Sequence, residues 1–193
     1  MFPSITFALI VTITFVNCEY KKFEWSDCGS SSVQIKEIDL TPMPIFNPGE
    51  AFLTFVANLE RKITILQTQL NITRTVSGIT LPVRCYKVNG VEVGSCLYPD
   101  LCKILAALLP TFNAKDCPPK FLPYGIDCTC PFNIPAQLLT IVAEKLTLPD
   151  AQATVANFMA TGDFVIRLDT SDTIGKFGCV VIKFTVKSQK PGK

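Results

Sequence analysis

Two cysteines near the middle of the chain, Cys128 and Cys130, are separated by a single threonine in the segment YGIDCTCPF (124–132). Thiols this close form either a metal-binding or redox pair or the halves of two different disulfide bonds. Zinc ribbons use Cys-x₂-Cys spacing, usually in two such pairs. The Cys-x-Cys spacing therefore favours disulfides, provided that the chain enters an oxidising compartment.

The N-terminus predicts that compartment. Residues 5–16 form an apolar run that is too short to span a bilayer as a helix and is typical of a signal peptide. Val16 and Cys18 fit the small-residue positions of a cleavage site, which predicts a signal peptide over 1–18 and a mature chain over 19–193. The alternative is a buried N-terminal strand. Of nine cysteines, cleavage leaves eight, an even set typical of disulfides in an exported protein.

Catalytic and metal chemistry find little support, because the chain contains no histidine. This excludes the Ser–His and Cys–His arrangements and the commonest zinc ligand. Paired carboxylates could serve a glycosidase, but Glu50, Asp163 and Asp169 fall at predicted strand ends or turns, where solvated acids are normal. We expect no catalytic residue, no metal and no cofactor, hence a protein that is not an enzyme.

The charges of the chain are nearly balanced and are not concentrated in one region. The net charge is +2, from 18 basic and 16 acidic residues spread along the chain, which argues against a nucleic-acid partner. Asn71-Ile72-Thr73 forms a glycosylation sequon, so Asn71 is the expected glycosylated residue. Beyond the first 18 residues, no stretch has the length and apolarity of a membrane span.

Most of the mature chain alternates between apolar and polar residues with period two, which is typical of strands. The segments with this pattern are 33–40, 51–57, 62–76, 86–94, 137–148, 163–169 and 178–187. Such a series predicts one all-β domain, an antiparallel two-sheet sandwich of the immunoglobulin-like type. Residues 99–110 have helical spacing instead and predict one short helix; residues 187–193 are expected to be a polar tail.

Two predicted connections are unusually apolar. Residues 148–163 carry no charge between Asp150 and Asp163, yet they contain Val155, Phe158 and Met159. The shorter connection, 77–82, contains Ile79 and Leu81. Connections normally cross the surface and are polar. These five apolar residues either cover the core, in 151–160 as a short amphipathic helix, or form a rim that faces lipid.

Five segments together resemble the ML (MD-2-related lipid-recognition) domain family, in particular its ganglioside-activator members. They are FEWSDC, PVRCYKVNGVEVGSC, DLCKILAALLP, CPPKFLPYGIDCTCPF and GKFGCVVIKFTV. The resemblance extends over about residues 23–186. The central block is its most specific part, because cysteines and prolines recur there together.

The resemblance implies a β-cup, in which two antiparallel sheets enclose an apolar lipid cavity braced by four disulfides. The implied pairs are Cys28–Cys179, Cys85–Cys96, Cys102–Cys130 and Cys117–Cys128. It also implies that apolar loops at the mouth of the cup enter a membrane, and 151–160 and 77–82 occupy the corresponding positions.

The leading hypothesis is therefore a non-enzymatic carrier that extracts a glycolipid or phospholipid from membranes and presents it to a lysosomal β-hexosaminidase. Its expected location is the secretory pathway, with a lysosomal or extracellular destination. One alternative is a secreted ML-type carrier or sensor of sterols or microbial lipids with no hydrolase partner. Another is a closed β-sandwich interaction module.

Overall fold

The computed structural model describes residues 19–88, 90–103, 122–126, 130–148, 150 and 161–189. The described ranges form β structure almost throughout. The strands are β1 (Glu24–Asp27), β2 (Val33–Thr41), β3 (Ile45–Asn47), β4 (Gly49–Leu59), β5 (Gln67–Val76), β6 (Ile79–Val83), β7 (Tyr86–Val88), β8 (Val91–Val93), β9 (Leu97–Tyr98), β10 (Gln137–Leu148), β11 (Gly162–Ser171) and β12 (Lys176–Ser188).

The strands assemble into two main sheets. The large sheet has the order β1-β12-β11-β5-β6, in which neighbours are antiparallel; β9 pairs with β5, and β3 adds a parallel strand beside β12. The small sheet has the order β10-β4-β2 and is antiparallel, while β7 and β8 form a separate hairpin. The predicted fold class, an all-β antiparallel two-sheet sandwich, is confirmed.

Alternation sets which residues face the small sheet. Along β5, Thr68 and Ile72 are buried while Asn71 is exposed, as the period-two pattern predicts. Thr185 of β12 departs from this pattern: alternation places it on the outward face with Lys183 and Lys187, yet it is only 3% exposed. The N-terminal segment covers it, because the backbone N–H of Tyr20 donates to Thr185 Oγ1 at 2.8 Å and this hydroxyl donates to Asp163 at 2.6 Å.

The connection predicted over 77–82 is in fact largely a strand. Ser77 and Gly78 form a two-residue turn with φ values of 52° and 78°, both left-handed as the primed hairpin turns require. The chain then returns as β6, whose residues Ile79 and Leu81 lie opposite Val76 and Arg74 of β5. Ile79 and Leu81 therefore sit on an edge strand of the large sheet.

Apolar side chains between the two sheets form a packed cluster in which every member is at most 7% exposed. Its members are Ile45, Ile72, Phe164, Ile166, Phe184 and Val186. Phe184 stacks on Phe164 with ring centroids 5.5 Å apart and on Phe23 at 6.2 Å. Through Ile45, this cluster packs β3 against β5, β11 and β12 of the large sheet.

The remaining predicted elements are described in part. Residues 101–103 are helical, and Asp100 Oδ1 caps this turn by accepting a hydrogen bond from the Cys102 N–H at 3.0 Å; residues 104–110 of the predicted helix lie outside the described residues. Strand β12 continues to Ser188, so the first two residues of the expected polar tail belong to the sheet. Within the described ranges, no helix has the length and apolarity needed to cross a membrane.

Candidate lipid-binding cavity

Part of the space between the two sheets is empty. A cavity of about 320 Å³ lies there, within the roughly 300–1,000 Å³ range of small-molecule sites. The small sheet and the large sheet supply its opposite walls, and the segments between strands supply a third side. The lining residues are Val33, Ile35, Ile38, Phe55, Leu59, Ile63, Leu66, Leu101, Ile134, Leu139, Leu168, Thr170, Phe177, Gly178, Cys179 and Val180.

The lining is almost entirely hydrocarbon. Thr170 is the one hydroxyl-bearing residue among these side chains, and its Oγ1 donates to the Gly178 carbonyl at 3.1 Å. The hydroxyl proton of Thr170 is therefore used in a hydrogen bond within the protein. A void with such walls suits acyl or other apolar chains, since a polar ligand would lose hydrogen bonds to water on entry.

A β-bulge shapes the small-sheet wall. Strict alternation along β2 would turn Ile35 and Glu37 toward the cavity, yet Ile35 and Ile38 are the lining residues. The register between β2 and β4 shifts between Ile35 and Glu37, so one extra residue rotates Ile38 inward. The bulge therefore keeps Glu37 exposed and an isoleucine on the wall.

Two disulfides adjoin the cavity. Cys28–Cys179 ties β12 to the residue that follows β1, and Cys179 itself lines the void. Cys102–Cys130 anchors the helical turn, whose residue Leu101 lines it as well. A third bond, Cys85–Cys96, lies away from this lining.

These three bonds are pairs that the family resemblance implies; the fourth expected pair, Cys117–Cys128, lies outside the described residues. Because Cys130 is bonded to Cys102, its sulfur is not part of a metal-binding or redox pair with Cys128. Asp100 lies near the two bonded sulfurs. Its carboxylate caps the helical turn.

An ion pair also holds this part of the molecule together. Arg61, just after β4, donates two hydrogen bonds to Asp172 in the β11–β12 turn, at 2.5 and 3.0 Å. The Asp172 side chain is only 1% exposed, and the Arg61 guanidinium lies 5.4 Å from the ring centre of Phe177, a cavity residue. The hydrogen bond from Arg61 lowers the pKa of Asp172 below its usual value, so this carboxylate stays ionised under mildly acidic conditions.

Two of the predicted rim residues, Ile79 and Leu81, are not among the residues that line the cavity. Ile79 and Leu81 of β6 are 64% and 62% exposed and form part of an apolar surface at one end of the large sheet. Val76 and Phe46, each 42% exposed, lie at the same end of that sheet. The predicted rim residues Val155, Phe158 and Met159 lie outside the described residues.

The other candidate side chains lie apart from the cavity. Asn71 is exposed on the outward face of β5, opposite Arg167 of β11. The three carboxylates considered for catalysis each have a different partner: Glu50 pairs with Lys145 at 2.6 Å, Asp163 accepts from Thr185, and Asp169 pairs with Arg167 and Lys176. They do not face one another across a cleft.

Sequence reasoning did not identify the cavity lining. Ile35, Ile38, Leu139 and Leu168 have the same residue types and alternation as a filled core, so no sequence signal marks the side chains that border a void. The alternating segment 62–76 predicts that Ile63 and Leu66 lie at the beginning of a long strand. In the structure, β5 begins at Gln67, and Ile63 forms an isolated bridge with Ile134.

Comparison with known proteins identifies the family of this chain. The model of the ML domain family matches residues 22–186. The ganglioside GM2 activator of Macaca fascicularis is 28% identical over 171 residues, which cover 86% of this chain and 83% of that protein. A Niemann-Pick type C2 protein from Japanese carpenter ant, known from a crystal structure, aligns over 85% of this chain and 99% of its own at a TM-score of 0.40 and 14% identity. Since the family match covers most of the sequence, this chain belongs to the ML domain family of lipid-binding proteins.

Proposed function

We propose that this protein is a non-enzymatic lipid carrier that extracts a glycolipid of the ganglioside type, or a phospholipid, from membranes. The inter-sheet cavity takes the acyl chains, while the apolar end that carries Ile79 and Leu81 contacts the bilayer surface. Membership of the ML domain family supports lipid binding. The choice of a ganglioside-type or phospholipid headgroup is a more specific proposal.

The cavity is the observation that carries this proposal. Transfer of apolar chain from water is worth about 0.8 kcal/mol per buried methylene, so a hydrocarbon-walled void offers a large favourable free energy without any directed contact. An interaction module with a closed core would have no such void, since protein interiors are normally close-packed.

We further propose that the carrier presents its lipid to a lysosomal β-hexosaminidase. The similarity to a protein named ganglioside GM2 activator supports this step. The competing function, a secreted carrier or sensor of sterols or microbial lipids, needs the same cavity and no hydrolase. The two therefore differ in the class of lipid that is bound and in whether a hydrolase receives it.

Export through the secretory pathway, to the lysosome or outside the cell, forms part of the proposal. Disulfides such as Cys28–Cys179 support an oxidising compartment. We propose in addition that residues 1–18 are removed as a signal peptide, that Cys117 pairs with Cys128, and that Asn71 carries a glycan. The exposure of Asn71 supports the last point, and a mass shift after glycosidase treatment, absent in Asn71→Gln, tests it.

Lipid capture tests the carrier function. The purified mature protein is incubated with mixed-lipid vesicles, re-isolated at pH 4.5 and pH 7, and analysed for bound lipid by mass spectrometry. The variant Ile38→Trp fills part of the cavity and should retain less lipid. Leu138→Trp is the matched control, since Leu138 is 52% exposed on the other face of the small sheet. Absence of bound lipid at both pH values would refute the carrier function.

The activator step needs a separate measurement. The rate of a β-hexosaminidase on a vesicle-embedded glycolipid is compared with and without the lipid-loaded protein, and Ile38→Trp serves as the control. A higher rate with the wild type alone supports presentation. Lipid capture without any change in hydrolysis would favour the carrier that lacks a hydrolase partner.

A further inference from the structure

One charged side chain interrupts the apolar inner face of the large sheet. In β5, Arg74 lies opposite Phe164 of β11 and Leu81 of β6, so it shares the face of the sheet that carries the packed cluster. The other inward positions of β5, β6 and β11 hold apolar residues, threonine or glycine. Arg74 is half-buried there.

The local backbone holds the guanidinium in place. Arg74 Nε donates to the Thr161 carbonyl at 2.7 Å, and the terminal NH2 group donates to Thr161 Oγ1 at 3.2 Å. The side chain crosses Gly162, where an added Cβ would lie 3.1 Å from Arg74 Cγ and Nε. With a φ of 130°, Gly162 adopts a conformation that disfavours other residues, and its lack of a side chain makes room for the arginine.

The bonds to Thr161 leave most of the donors of Arg74 free for another acceptor. A guanidinium has five N–H donors, and none of the bonds found for Arg74 in the described ranges goes to a carboxylate. Three acids at this end have partners of their own: Asp163 accepts from Thr185, Glu50 pairs with Lys145, and Glu19 pairs with Lys187. Among the described residues, Arg74 thus has no carboxylate partner and keeps three of its five N–H donors unused.

An apolar strip connects this charge to the cavity. Along the inner face of the β5–β6 edge it consists of Leu70, Val83, Leu81 and Ile79, with Leu70 opposite the cavity residue Leu168. Arg74 is four residues beyond Leu70, or roughly 13 Å at the rise of an extended strand. A lipid whose chains occupy the cavity and lie along this strip would bring its headgroup to Arg74.

We propose that Arg74 binds an oxyanion, a carboxylate or a phosphate, on the headgroup of the lipid that this protein carries. The planar fork of arginine donates two parallel hydrogen bonds to either group, which lysine cannot reproduce. This inference rests on the proposed carrier function. It gives the carrier a preference for anionic lipids over neutral lipids with the same chains.

Competition within a single vesicle population tests the preference. One vesicle type contains equal amounts of a monosialoganglioside and its desialylated derivative; another contains phosphatidylglycerol and a diacylglycerol with the same acyl chains. Mass spectrometry then gives the ratio of anionic to neutral lipid bound by the wild type, Arg74→Gln, Arg74→Lys and Arg84→Gln. Arg84→Gln removes the same charge from an exposed position in the groove that borders Asn71 on the outer face, so it controls for net charge.

We expect the ratio to fall about tenfold in Arg74→Gln, the size of one charge-assisted hydrogen bond, in at least one of the two lipid pairs. Arg74→Lys should retain part of the preference, and Arg84→Gln should match the wild type. A merely structural role for Arg74 would lower the melting temperature without changing the ratio. An unchanged ratio in Arg74→Gln, or an equal fall in Arg84→Gln, overturns the proposal. If the wild type binds no lipid at all, the carrier function is refuted, and the proposed role of Arg74 is refuted with it.

Discussion

Two parts of the inter-sheet space are built in opposite ways. The packed cluster around Phe164 and Phe184 fills the space with stacked rings and aliphatic side chains. The cavity leaves about 320 Å³ between walls of similar residue types. The walls of a void forgo dispersion contacts on one side, so this part of the molecule needs another source of stability.

That source is visible around the cavity. Cys28–Cys179 and Cys102–Cys130 both adjoin its lining, and the Arg61–Asp172 ion pair lies beside Phe177. The ion pair links the end of β4 in the small sheet to the β11–β12 turn of the large sheet, while the two disulfides fix segments that border the cavity. The comparison indicates that the void is a supported feature of the fold rather than a packing defect.

Removing the longest covalent tie should have the largest effect. The double variant Cys28→Ala/Cys179→Ala should lose about 5 kcal/mol of unfolding free energy, because a bond between residues 151 apart strongly restricts the unfolded chain. Cys85→Ala/Cys96→Ala, whose residues are 11 apart, should lose at most about 3 kcal/mol. Urea unfolding measures both. Equal losses would mean that these bonds do not stabilise the fold by restricting the unfolded chain.

Truncating a ring should cost more in the packed cluster than at the cavity wall. Phe164→Ala should destabilise by about 4 kcal/mol, since Phe164 is fully buried and its removal creates a new void. Phe55→Ala should cost about half as much, because Phe55 already borders empty space. If urea unfolding gives the same loss for both, the cavity is effectively filled in solution.

The sequence predicted the long strands better than the short ones. Strands such as β5 and β12 have one face toward the other sheet, and that asymmetry gives the period-two pattern. Strands β3, β6 and β9 are short and depend on backbone hydrogen bonds to a neighbour, which leave no side-chain pattern to detect. The expectation that residues 77–82 form a connection failed for this reason.

The site was less predictable than the fold. A bulge in β2 decides that Ile38 rather than Glu37 faces the cavity, and alternation alone places them the other way round. Alternation along β5 places Arg74 on the same face as Ile72, but its hydrogen bonds to Thr161 and its position opposite Phe164 are seen only in the structure. The partners of the cysteines came from family resemblance, since spacing alone leaves many connectivities open.

Breaking the ionic tie should have an intermediate effect. Asp172→Asn removes the charge from a side chain that is 1% exposed, and we expect a loss of about 2 kcal/mol, typical of hydrogen bonds between charged groups. Glu92→Gln is the matched control, because the Lys87–Glu92 pair is open to solvent and should contribute little. Equal effects in urea unfolding would mean that Arg61–Asp172 behaves as a surface pair.

The same carboxylates set the acid limit of the fold. Hydrogen bonds from Arg167 and Lys176 lower the pKa of Asp169 to about 2, and the bond from Arg61 lowers the pKa of Asp172. A lowered folded-state pKa contributes stability that is present above the unfolded value near 3.9 and is lost as the pH falls through the folded value. Unfolding free energy should therefore hold near pH 4.5 and decline from about pH 4 toward pH 2. Asp172→Asn should flatten this decline, whereas an unchanged decline would assign it to other groups.

The smallest effect on stability should accompany a clear effect on function. Ile79 and Leu81 are more than 60% exposed, so Ile79→Ser/Leu81→Ser should change unfolding free energy by less than about 0.5 kcal/mol. If these side chains contact the bilayer, the variant should extract lipid from vesicles more slowly. Ile174→Ser is the matched control, because Ile174 is 75% exposed in the β11–β12 turn, at the opposite end of the large sheet. Equal slowing in both variants would mean that any exposed apolar side chain aids extraction, whatever its position. No slowing in either variant would mean that β6 does not contact the membrane. Slowing confined to the β6 variant would separate the roles of the two regions, with the end of the sheet meeting the membrane and the cavity holding the lipid.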